Sequence, residues 1–213
     1  MSALAMYGAG LRAARAGRPG EWTLRYPDGT AAPLALGRWC GSLVAGDHGL
    51  LRRSVGATLD VGCGPGRLAA AVAWQGLPAL GVDVSTTAVR LARQRGVCAL
   101  RRSVFDRLPA EGRWRTALLA DGNIGIGGDP VRLLTRLRSL LGVGGQILCE
   151  LDPPGTPTRV VQVRIENPRG FSSAEFGWAH VSVADVGSVA AAAGLSWADT
   201  WKEAGRWFST LVR

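Results

Sequence analysis

The feature that most constrains the fold is a change of pattern at residue 57. From Ala57 onward, short apolar runs alternate with segments whose apolar residues recur at helical spacing. A strand needs only a short apolar run and a helix needs a longer periodic one, so the alternation predicts repeated βα units around a parallel sheet. The 213 residues are enough for one α/β domain with a sizeable core.

The alternating part is predicted to contain five strands with helices between them. The apolar residues Leu68, Val72 and Trp74 are expected on one side of the first helix. A second helix, capped by Ser85 or Thr86, should stop at Gly96, and Pro130 should begin a third that runs to Leu141. The strands are predicted at 58–61, 79–82, about 97–100, 115–120 and 146–151.

The two ends of the chain differ from this middle part. Residues 1–53 show no sustained period and are interpreted as an N-terminal extension. After Gly155, an inserted hairpin of 160–165 with 176–181 is predicted, followed by a helix over 183–193. Two strand-like runs at 196–202 and 206–212 predict that the chain ends in an antiparallel hairpin.

The charge of the chain does not point to a particular partner. A net charge of +9 could favour an anionic partner such as nucleic acid. The arginines are scattered, however, and Lys202 is the only lysine, so no basic run marks a phosphate-binding surface. Nucleic acid is therefore the less favoured partner.

Neither a disulfide framework nor a metal site is indicated. The four cysteines lie far apart without a CxxC pair, and with two histidines no zinc-binding spacing occurs. Arg12 and Arg15 interrupt the stretch in which a signal peptide needs an apolar core, and the apolar stretch 186–195 is too short to span a bilayer. We expect a reduced, cytoplasmic protein with no metal and no membrane partner.

The most informative motif is a glycine-rich turn after the first predicted strand. It reads LDVGCGPGR over residues 59–67, and its glycines let the backbone turn sharply and approach a ligand at a helix N-terminus. A dinucleotide-binding fingerprint requires a glycine where Arg67 stands, so the spacing argues against NAD. Taken alone, the motif is also compatible with a tight turn that binds nothing.

Acidic residues follow the predicted strands at their carboxyl ends, where open parallel sheets bind ligands. Asp83 comes 21 positions after Gly62, the distance at which a carboxylate can hold two ribose hydroxyls. Phe105 and Asp106 lie where a ring and a carboxylate could flank an adenine. Any one of these acids could instead be a surface carboxylate or a helix cap. The acids are Asp60, Asp83, Asp106 and Asp121.

The combined charge of these acids selects among ligands. A cluster of carboxylates would repel a pyrophosphate, but it suits a ligand that carries a sulfonium, an ammonium and a single carboxylate. S-adenosylmethionine is such a ligand.

With these motifs, residues 57–151 resemble the class I S-adenosylmethionine-dependent methyltransferases, and the resemblance extends more loosely to the C-terminus. It implies a Rossmann-like fold with a doubly wound, mostly parallel seven-stranded sheet, with which the terminal antiparallel hairpin agrees. Residues 54–213 would form the single methyltransferase domain. Residues 1–53 would fold over the cofactor as a lid.

The resemblance also implies roles for individual residues. Asp60 and the glycine turn would hold the methionine part, Asp83 the ribose, and Phe105 with Asp106 the adenine. Backbone groups after the fourth strand would take the methionine ammonium. The cofactor-binding residues expected in this way are Asp60, Gly62, Cys63, Gly64, Gly66, Asp83, Val84, Phe105, Asp106, Ala120, Asp121 and Asn123.

The methyl acceptor is not identified by these motifs. The sequence DGNI over residues 121–124 replaces the NPPY of many enzymes that methylate nucleic-acid amino groups, so a small-molecule acceptor of O, N or C type is favoured. Candidate general bases are His180, His48 and Asp121, and Trp39 is the tryptophan best placed to line a pocket. The alternatives are an RNA- or DNA-modifying methyltransferase and a non-catalytic cofactor-binding module.

Overall fold

The computed structural model describes residues 1–18 and 20–213. Its helices are α1 (Ala3–Arg15), α2 (Leu36–Cys40), α3 (Asp47–Arg53), α4 (Arg67–Trp74), α5 (Thr86–Gln94), α6 (Pro130–Leu140) and α7 (Val186–Ala192), with a short 3₁₀ helix at Asn123–Gly125. Its strands are β1 (Thr23–Arg25), β2 (Ala31–Pro33), β3 (Thr58–Val61), β4 (Ala79–Asp83), β5 (Ala99–Arg101), β6 (Trp114–Leu119), β7 (Leu141–Leu151), β8 (Arg159–Glu166), β9 (Phe176–His180), β10 (Ser196–Glu203) and β11 (Arg206–Val212). Among the described helices, none has the length and apolar character needed to cross a membrane.

The larger sheet has seven strands in the order β10-β11-β7-β6-β3-β4-β5. Strands β3 to β7 run parallel to their neighbours in this group. Strand β11 is antiparallel to both β7 and β10. The predicted mostly parallel sheet with an antiparallel terminal hairpin is therefore confirmed. Because the strand order reverses at β3, the loops after β3 and β6 diverge and leave a crevice at the carboxyl ends of the strands.

Helices cover both faces of this sheet, because successive side chains of a strand point to opposite faces. In β6, the buried Leu118 packs in a cluster with Leu50 of α3 and Leu68 of α4. The next residue, Leu119, is buried in another cluster with Leu133 of α6. Strands that are apolar on both faces thus produce the doubly wound arrangement that the sequence predicts.

A second sheet contains four antiparallel strands in the order β2-β1-β8-β9. The predicted inserted hairpin is present as β8 and β9. Strand β1 adds to its edge and pairs Leu24 with Ile165, so segments far apart in sequence build one sheet. Strands β1 and β2 have three residues each, too few to show an alternating pattern.

Helix α1 does not follow from the sequence pattern, because Gly8 and Gly10 lower its helical propensity. In the structure both glycines are points of close contact. A Cβ atom at Gly8 would lie 2.9 Å from Thr87 Oγ1 of α5, and one at Gly10 would lie 2.7 Å from Leu36 Cδ1 of α2. The residues that weaken the helix locally therefore allow it to pack against its neighbours.

Two local expectations are corrected by the structure. Trp74 is 78% exposed, because it stands two positions after Val72 and so points to the opposite side of α4. The third strand begins at Ala99 rather than at Val97. Gly96 ends α5 as expected, with φ 86°, and Val97 completes that turn by donating its N–H to the Ala92 carbonyl.

A buried network of charges joins α4 to the elements around it. Arg67, the first residue of α4, is 4% exposed and pairs with Asp47 of α3 and with Asp121 after β6. Asp47 is fully buried and also binds Arg206 of β11 at 2.8 Å, and Arg206 binds Glu150 of β7 at 2.7 Å. Burial lowers the pKa of Arg67, and the charge of Asp121 opposes that change. The paired carboxylates therefore stabilise the charged form of this buried guanidinium.

We predict that Asp47→Ala destabilises the chain by about 3–5 kcal/mol, because it leaves two buried arginines without one of their carboxylate partners. The free energy of unfolding in urea measures this change. The control is Arg164→Ala, which removes a half-exposed pair with Glu175 and should change the unfolding free energy by less than about 1 kcal/mol. Equal small effects of the two substitutions would contradict the role of the network.

Candidate functional site

A cavity of about 680 Å³ opens at the carboxyl ends of β3, β4 and β6. Its walls also include residues of α1, of the segment 32–39 and of strands β8 and β9, so both sheets border one space. Nine of the twelve expected cofactor-binding residues line it, namely Asp60, Gly62, Cys63, Gly64, Asp83, Val84, Ala120, Asp121 and Asn123.

The glycine turn after β3 has a backbone that other residues would strain. Gly62 and Gly64 have φ values of 69° and 52°, in the left-handed region. A Cβ at Gly62 would lie 2.8 Å from Asn123 Nδ2, and one at Gly64 would lie 3.2 Å from Tyr7 Oη. Asn123 Nδ2 donates hydrogen bonds to the carbonyls of Val61 and Gly62 at 2.9 and 3.0 Å. Asn123 therefore fixes the shape of the turn while it lines the cavity.

Gly66, the third glycine of the turn, does not line the cavity. Its φ is 80°, and a Cβ there would lie 3.0 Å from side-chain atoms of Ala92 and Val97. This glycine allows α4 to approach α5 and the turn that follows α5. In the structure, Gly66 therefore serves helix packing, whereas the sequence motif predicted that it would contact a ligand.

Asp83, the last residue of β4, connects the glycine turn to that strand. It is 8% exposed, and its two carboxylate oxygens accept backbone N–H groups of Gly64 at 3.0 Å and Ser85 at 2.7 Å. Burial raises the pKa of Asp83, and these hydrogen bonds oppose the rise. Because a carboxylate can accept about four hydrogen bonds, capacity remains for two hydroxyl groups of a ligand.

Asp60 is the most deeply buried acid of the cavity wall, with 3% exposure. One of its oxygens accepts the N–H of Ala69 at 3.1 Å. Burial raises the pKa of Asp60 to about 7, and the charges of Asp121 and Asp83 add to this effect. A cationic group beside Asp60 would favour its charged form, so the site is suited to a positively charged ligand.

Asp121 adopts a backbone conformation that is uncommon for a residue other than glycine, with φ 56°. Its carboxylate lies 2.5 Å from Arg67 and 2.6 Å from Arg38. With two guanidinium groups bound to it, this carboxylate is not free to act as the expected base. The Nε atom of Arg38 is nevertheless buried without a hydrogen-bond partner among the described residues.

Phe105 and Asp106 are not among the residues that line the cavity. Strand β5 ends at Arg101, and the residues that line the cavity next are 102–104. Asp106 is exposed and accepts the N–H of Ser103 at 3.3 Å. The ring of Phe105 packs below the guanidinium of Arg132, 4.5 Å from its carbon. Asp106 is therefore on the surface, whereas Phe105 borders the cavity wall from behind, since a Cβ at Gly127 would lie 3.3 Å from its Cε2.

Of the two histidines, His180 lines the cavity and His48 does not. His48 is exposed on α3, outside the residues that line the cavity. His180 Nδ1 lies 2.9 Å from Asp152 Oδ2, and its Nε2 lies 3.1 Å from Tyr26 Oη. Neither Asp152 nor Tyr26 is apparent from the sequence, because both lie far from His180 along the chain.

Residues 1–53 supply more of the cavity wall than their sequence pattern indicates. Trp39 lines the cavity, as expected, and so do Tyr7 and Arg38, which the sequence pattern does not identify. Because Arg38 stands next to Trp39 in the sequence, its place in the cavity wall could have been predicted together with that of Trp39. Trp178 of β9 also lines the cavity, whereas Trp201 stacks on Phe208 with their centroids 5.2 Å apart.

Comparison with known proteins agrees with this geometry. Residues 58–145 match a family model described as a methyltransferase domain. That match contains the glycine turn, Asp60, Asp83 and Asp121. No curated protein matches the sequence.

Solved structures with little sequence identity share the fold. An S-adenosylmethionine-dependent methyltransferase from Bacteroides fragilis, in complex with S-adenosyl-L-homocysteine, aligns with a TM-score of 0.79 and 19% identity over 99% of this chain and 96% of that chain. The Burkholderia thailandensis 1,6-didemethyltoxoflavin-N1-methyltransferase aligns with a TM-score of 0.56 and 20% identity over 78% and 74% of the two chains. A sugar N-methyltransferase from Streptoalloteichus gives a TM-score of 0.58 and 19% identity over 77% and 82%. The match over residues 58–145 and the shared fold thus make this chain similar to the S-adenosylmethionine-dependent methyltransferases, with the Rossmann-like fold of those structures.

Proposed function

We propose that the chain transfers a methyl group from S-adenosylmethionine to a small-molecule acceptor bound in the same cavity. The observation that carries this proposal is the meeting of the glycine turn, Asp60 and Asp83 in one space that also has an aromatic wall. Ile126 connects the two regions, because its Cδ1 atom lies 3.0 Å from a Cβ built at Gly62 and its backbone bridges to Trp178. A donor held at the turn would therefore have an acceptor space beside it.

The residues present fit the parts of this cofactor. The spare hydrogen-bonding capacity of Asp83 suits the ribose hydroxyls. Asp60 and the backbone after β6 suit the methionine ammonium, and the unpartnered Arg38 Nε suits its carboxylate. Val84 and residues 102–104 border the remaining edge, where the adenine would lie.

Residues 1–53 act in this proposal as the cover of the cofactor. Tyr7, Arg38 and Trp39 come from α1 and α2 and line the same cavity as the glycine turn, with Tyr7 Oη 3.2 Å from a Cβ built at Gly64. The buried cluster of α1 includes Leu91 of α5 and Ile165 of β8, so the cover is packed against the rest of the fold. Its contribution would be to exclude water and to orient the methionine end.

When bound, the cofactor supplies a methyl group on a sulfonium, which is a good leaving group for in-line displacement. The contribution of this chain is to hold the acceptor in line with that group, since positioning alone can supply several kcal/mol of the acceleration. The aromatic side chains Trp39, Phe176 and Trp178 offer flat surfaces for this purpose.

A small acceptor is supported by the size of the cavity and by the relatives. The same 680 Å³ must contain both the cofactor and the acceptor, which excludes a bulky acceptor from full burial. Two of the similar structures are named for methylating small molecules, a toxoflavin precursor and a sugar.

Modification of RNA or DNA is a second candidate function, favoured by a basic surface groove. The groove is lined by Arg90, Arg93, Arg101 and Arg102, and Arg102 also lines the cavity. Binding through these arginines would weaken steeply as salt rises. Arg93 is already engaged, because its guanidinium donates to the Ala99 carbonyl at 2.9 Å, which leaves fewer of its N–H groups for a phosphate.

We predict that Asp83→Ala weakens binding of S-adenosylhomocysteine by about 1.5–3 kcal/mol, because hydrogen bonds to a charged group are lost. Isothermal titration calorimetry measures the dissociation constant. Asp106→Ala is the matched control, since Asp106 is an exposed acid outside the cavity and its loss should leave the constant unchanged. Equal affinities for the wild type and Asp83→Ala would remove Asp83 from the cofactor site.

We predict that the affinity for S-adenosylhomocysteine rises with pH through about 7. The pKa of Asp60 is raised to about 7 by burial, so the carboxyl is mostly neutral below that pH and charged above it. The charged form attracts the ligand's ammonium, and binding should release a proton, detectable as a heat that depends on the buffer. Asp60→Asn should give a nearly flat profile, and a wild-type profile equally flat would contradict this role.

Methyl transfer itself is tested with S-adenosylmethionine carrying a labelled methyl group. We expect label to enter a low-molecular-weight fraction from cell extract and S-adenosylhomocysteine to be released. Label in the RNA or DNA, together with retention that falls steeply with salt, would instead support the second candidate. Cofactor binding without any transferred label would indicate a non-catalytic module.

A further inference from the structure

Three polar side chains form a hydrogen-bonded chain in the wall of the cavity. Asp152, just after β7, contacts His180 Nδ1 at 2.9 Å, and Tyr26, just after β1, contacts His180 Nε2 at 3.1 Å. The side chain of His180 is 19% exposed, so the imidazole is largely shielded from solvent. The chain links three elements that are remote in sequence, and the cofactor site makes no use of it.

The partners of His180 determine which ring nitrogen is basic. A carboxylate only accepts hydrogen bonds, so Asp152 requires that Nδ1 carries a proton. In the neutral imidazole the lone pair is then on Nε2, which accepts the hydroxyl hydrogen of Tyr26. This assignment follows from the hydrogen-bond network. Asp152 thus positions His180 as a base whose active nitrogen is Nε2.

The position of His180 along β9 places it beside the acceptor space. Alternation along the strand puts Phe176, Trp178 and His180 on one face, and all three line the cavity. Trp178 packs so closely on the loop after β6 that a Cβ at Gly125 would lie 2.6 Å from its Nε1. His180 is therefore two residues along the strand from the tryptophan that packs on the loop after β6.

Charged and titratable groups from three neighbouring segments lie around His180. Asp152 follows β7, and Tyr26 follows β1. Arg159 of β8 is the register partner of His180, and its guanidinium lies 5.6 Å from the centre of the Tyr26 ring. Burial raises the pKa of Tyr26, with Arg159 opposing, so the phenol is a hydrogen-bond donor rather than a second base.

We propose that His180 is the general base of the methyl transfer and that the acceptor is a phenol, methylated on oxygen. This inference rests on the proposed function. A hydroxyl needs a base to become a strong nucleophile, whereas a neutral amine already has a free lone pair. The aromatic wall formed by Phe176 and Trp178 suits the flat apolar body of such an acceptor.

The step balances in atoms and electrons. The acceptor hydroxyl replaces Tyr26 at His180 Nε2, and its O–H bond breaks as the proton passes to that nitrogen. The acceptor oxygen forms a bond to the methyl carbon, and the carbon–sulfur bond of the sulfonium breaks with its electron pair left on sulfur. His180 then releases the proton to solvent, while Asp152 stabilises the transient imidazolium.

The test uses 4-nitrophenol, whose phenolate absorbs visible light strongly and whose neutral form does not. The probe is added to the full-length protein saturated with S-adenosylhomocysteine, at a pH below the pKa of the free probe. We expect the bound probe to appear as phenolate, with a titration midpoint lowered by about one pH unit or more relative to the free probe. His180→Gln should lose this shift.

Tyr26→Phe is the matched control, because it breaks the same Tyr26–His180 hydrogen bond and leaves the base and Asp152 in place. We expect this variant to keep the phenolate signal. Equal loss in both variants would show that the contact only holds the fold together, and it would overturn the proposal. A bound probe that stays neutral, or no binding of the probe to the complex, would overturn it as well. Calorimetry with S-adenosylhomocysteine on the same samples separates these results from a failure of the proposed function, which would show as no heat in the wild type.

Discussion

The ion pair between Arg67 and Asp47 is the interaction on which the geometry of the site depends. Arg67 stands directly after the glycine turn, at the first position of α4, and both partners are almost completely buried. A buried charge without its partner is strongly unfavourable, so the helix, α3 and the loop that carries Asp121 must keep their relative positions. Through Arg206 and Glu150 the same constraint reaches β11 and β7. The turn that would hold the cofactor is thereby set against the sheet by charge as well as by apolar packing.

The sequence was most informative where local chemistry and the fold agree. The strand at 58–61, the glycine turn and Asp83 all follow from spacing, because a βα unit places a strand end, a turn and a helix in fixed order. Phe105 and Asp106 show the opposite case. Their distance from the strand end is set by a turn held by hydrogen bonds such as that of Ser103 with Asp106, and apolar periodicity says nothing about such turns.

The features that the sequence did not predict depend on contacts between segments that are remote along the chain. The pairing of Leu24 with Ile165 and the contact of Tyr26 with His180 need a sheet whose strands come from two parts of the chain. Helix α1 was not predicted, because its two glycines lower the helical propensity of the segment. The same glycines allow the helix to pack closely against Thr87 and Leu36. Single residues therefore predict the cavity wall around the glycine turn, and tertiary contacts decide the wall formed by the second sheet.

The second sheet combines strands from two distant parts of the chain, and this affects the order in which the protein folds. Arg25 and Glu166, which pair across β1 and β8, are separated by 141 positions. During synthesis, β1 leaves the ribosome long before its partner exists, while the parallel strands β3 to β7 are completed in between. The nascent chain can thus assemble the parallel strands and the glycine turn first, and the cavity wall formed by β8 and β9 closes only when the two distant edges meet.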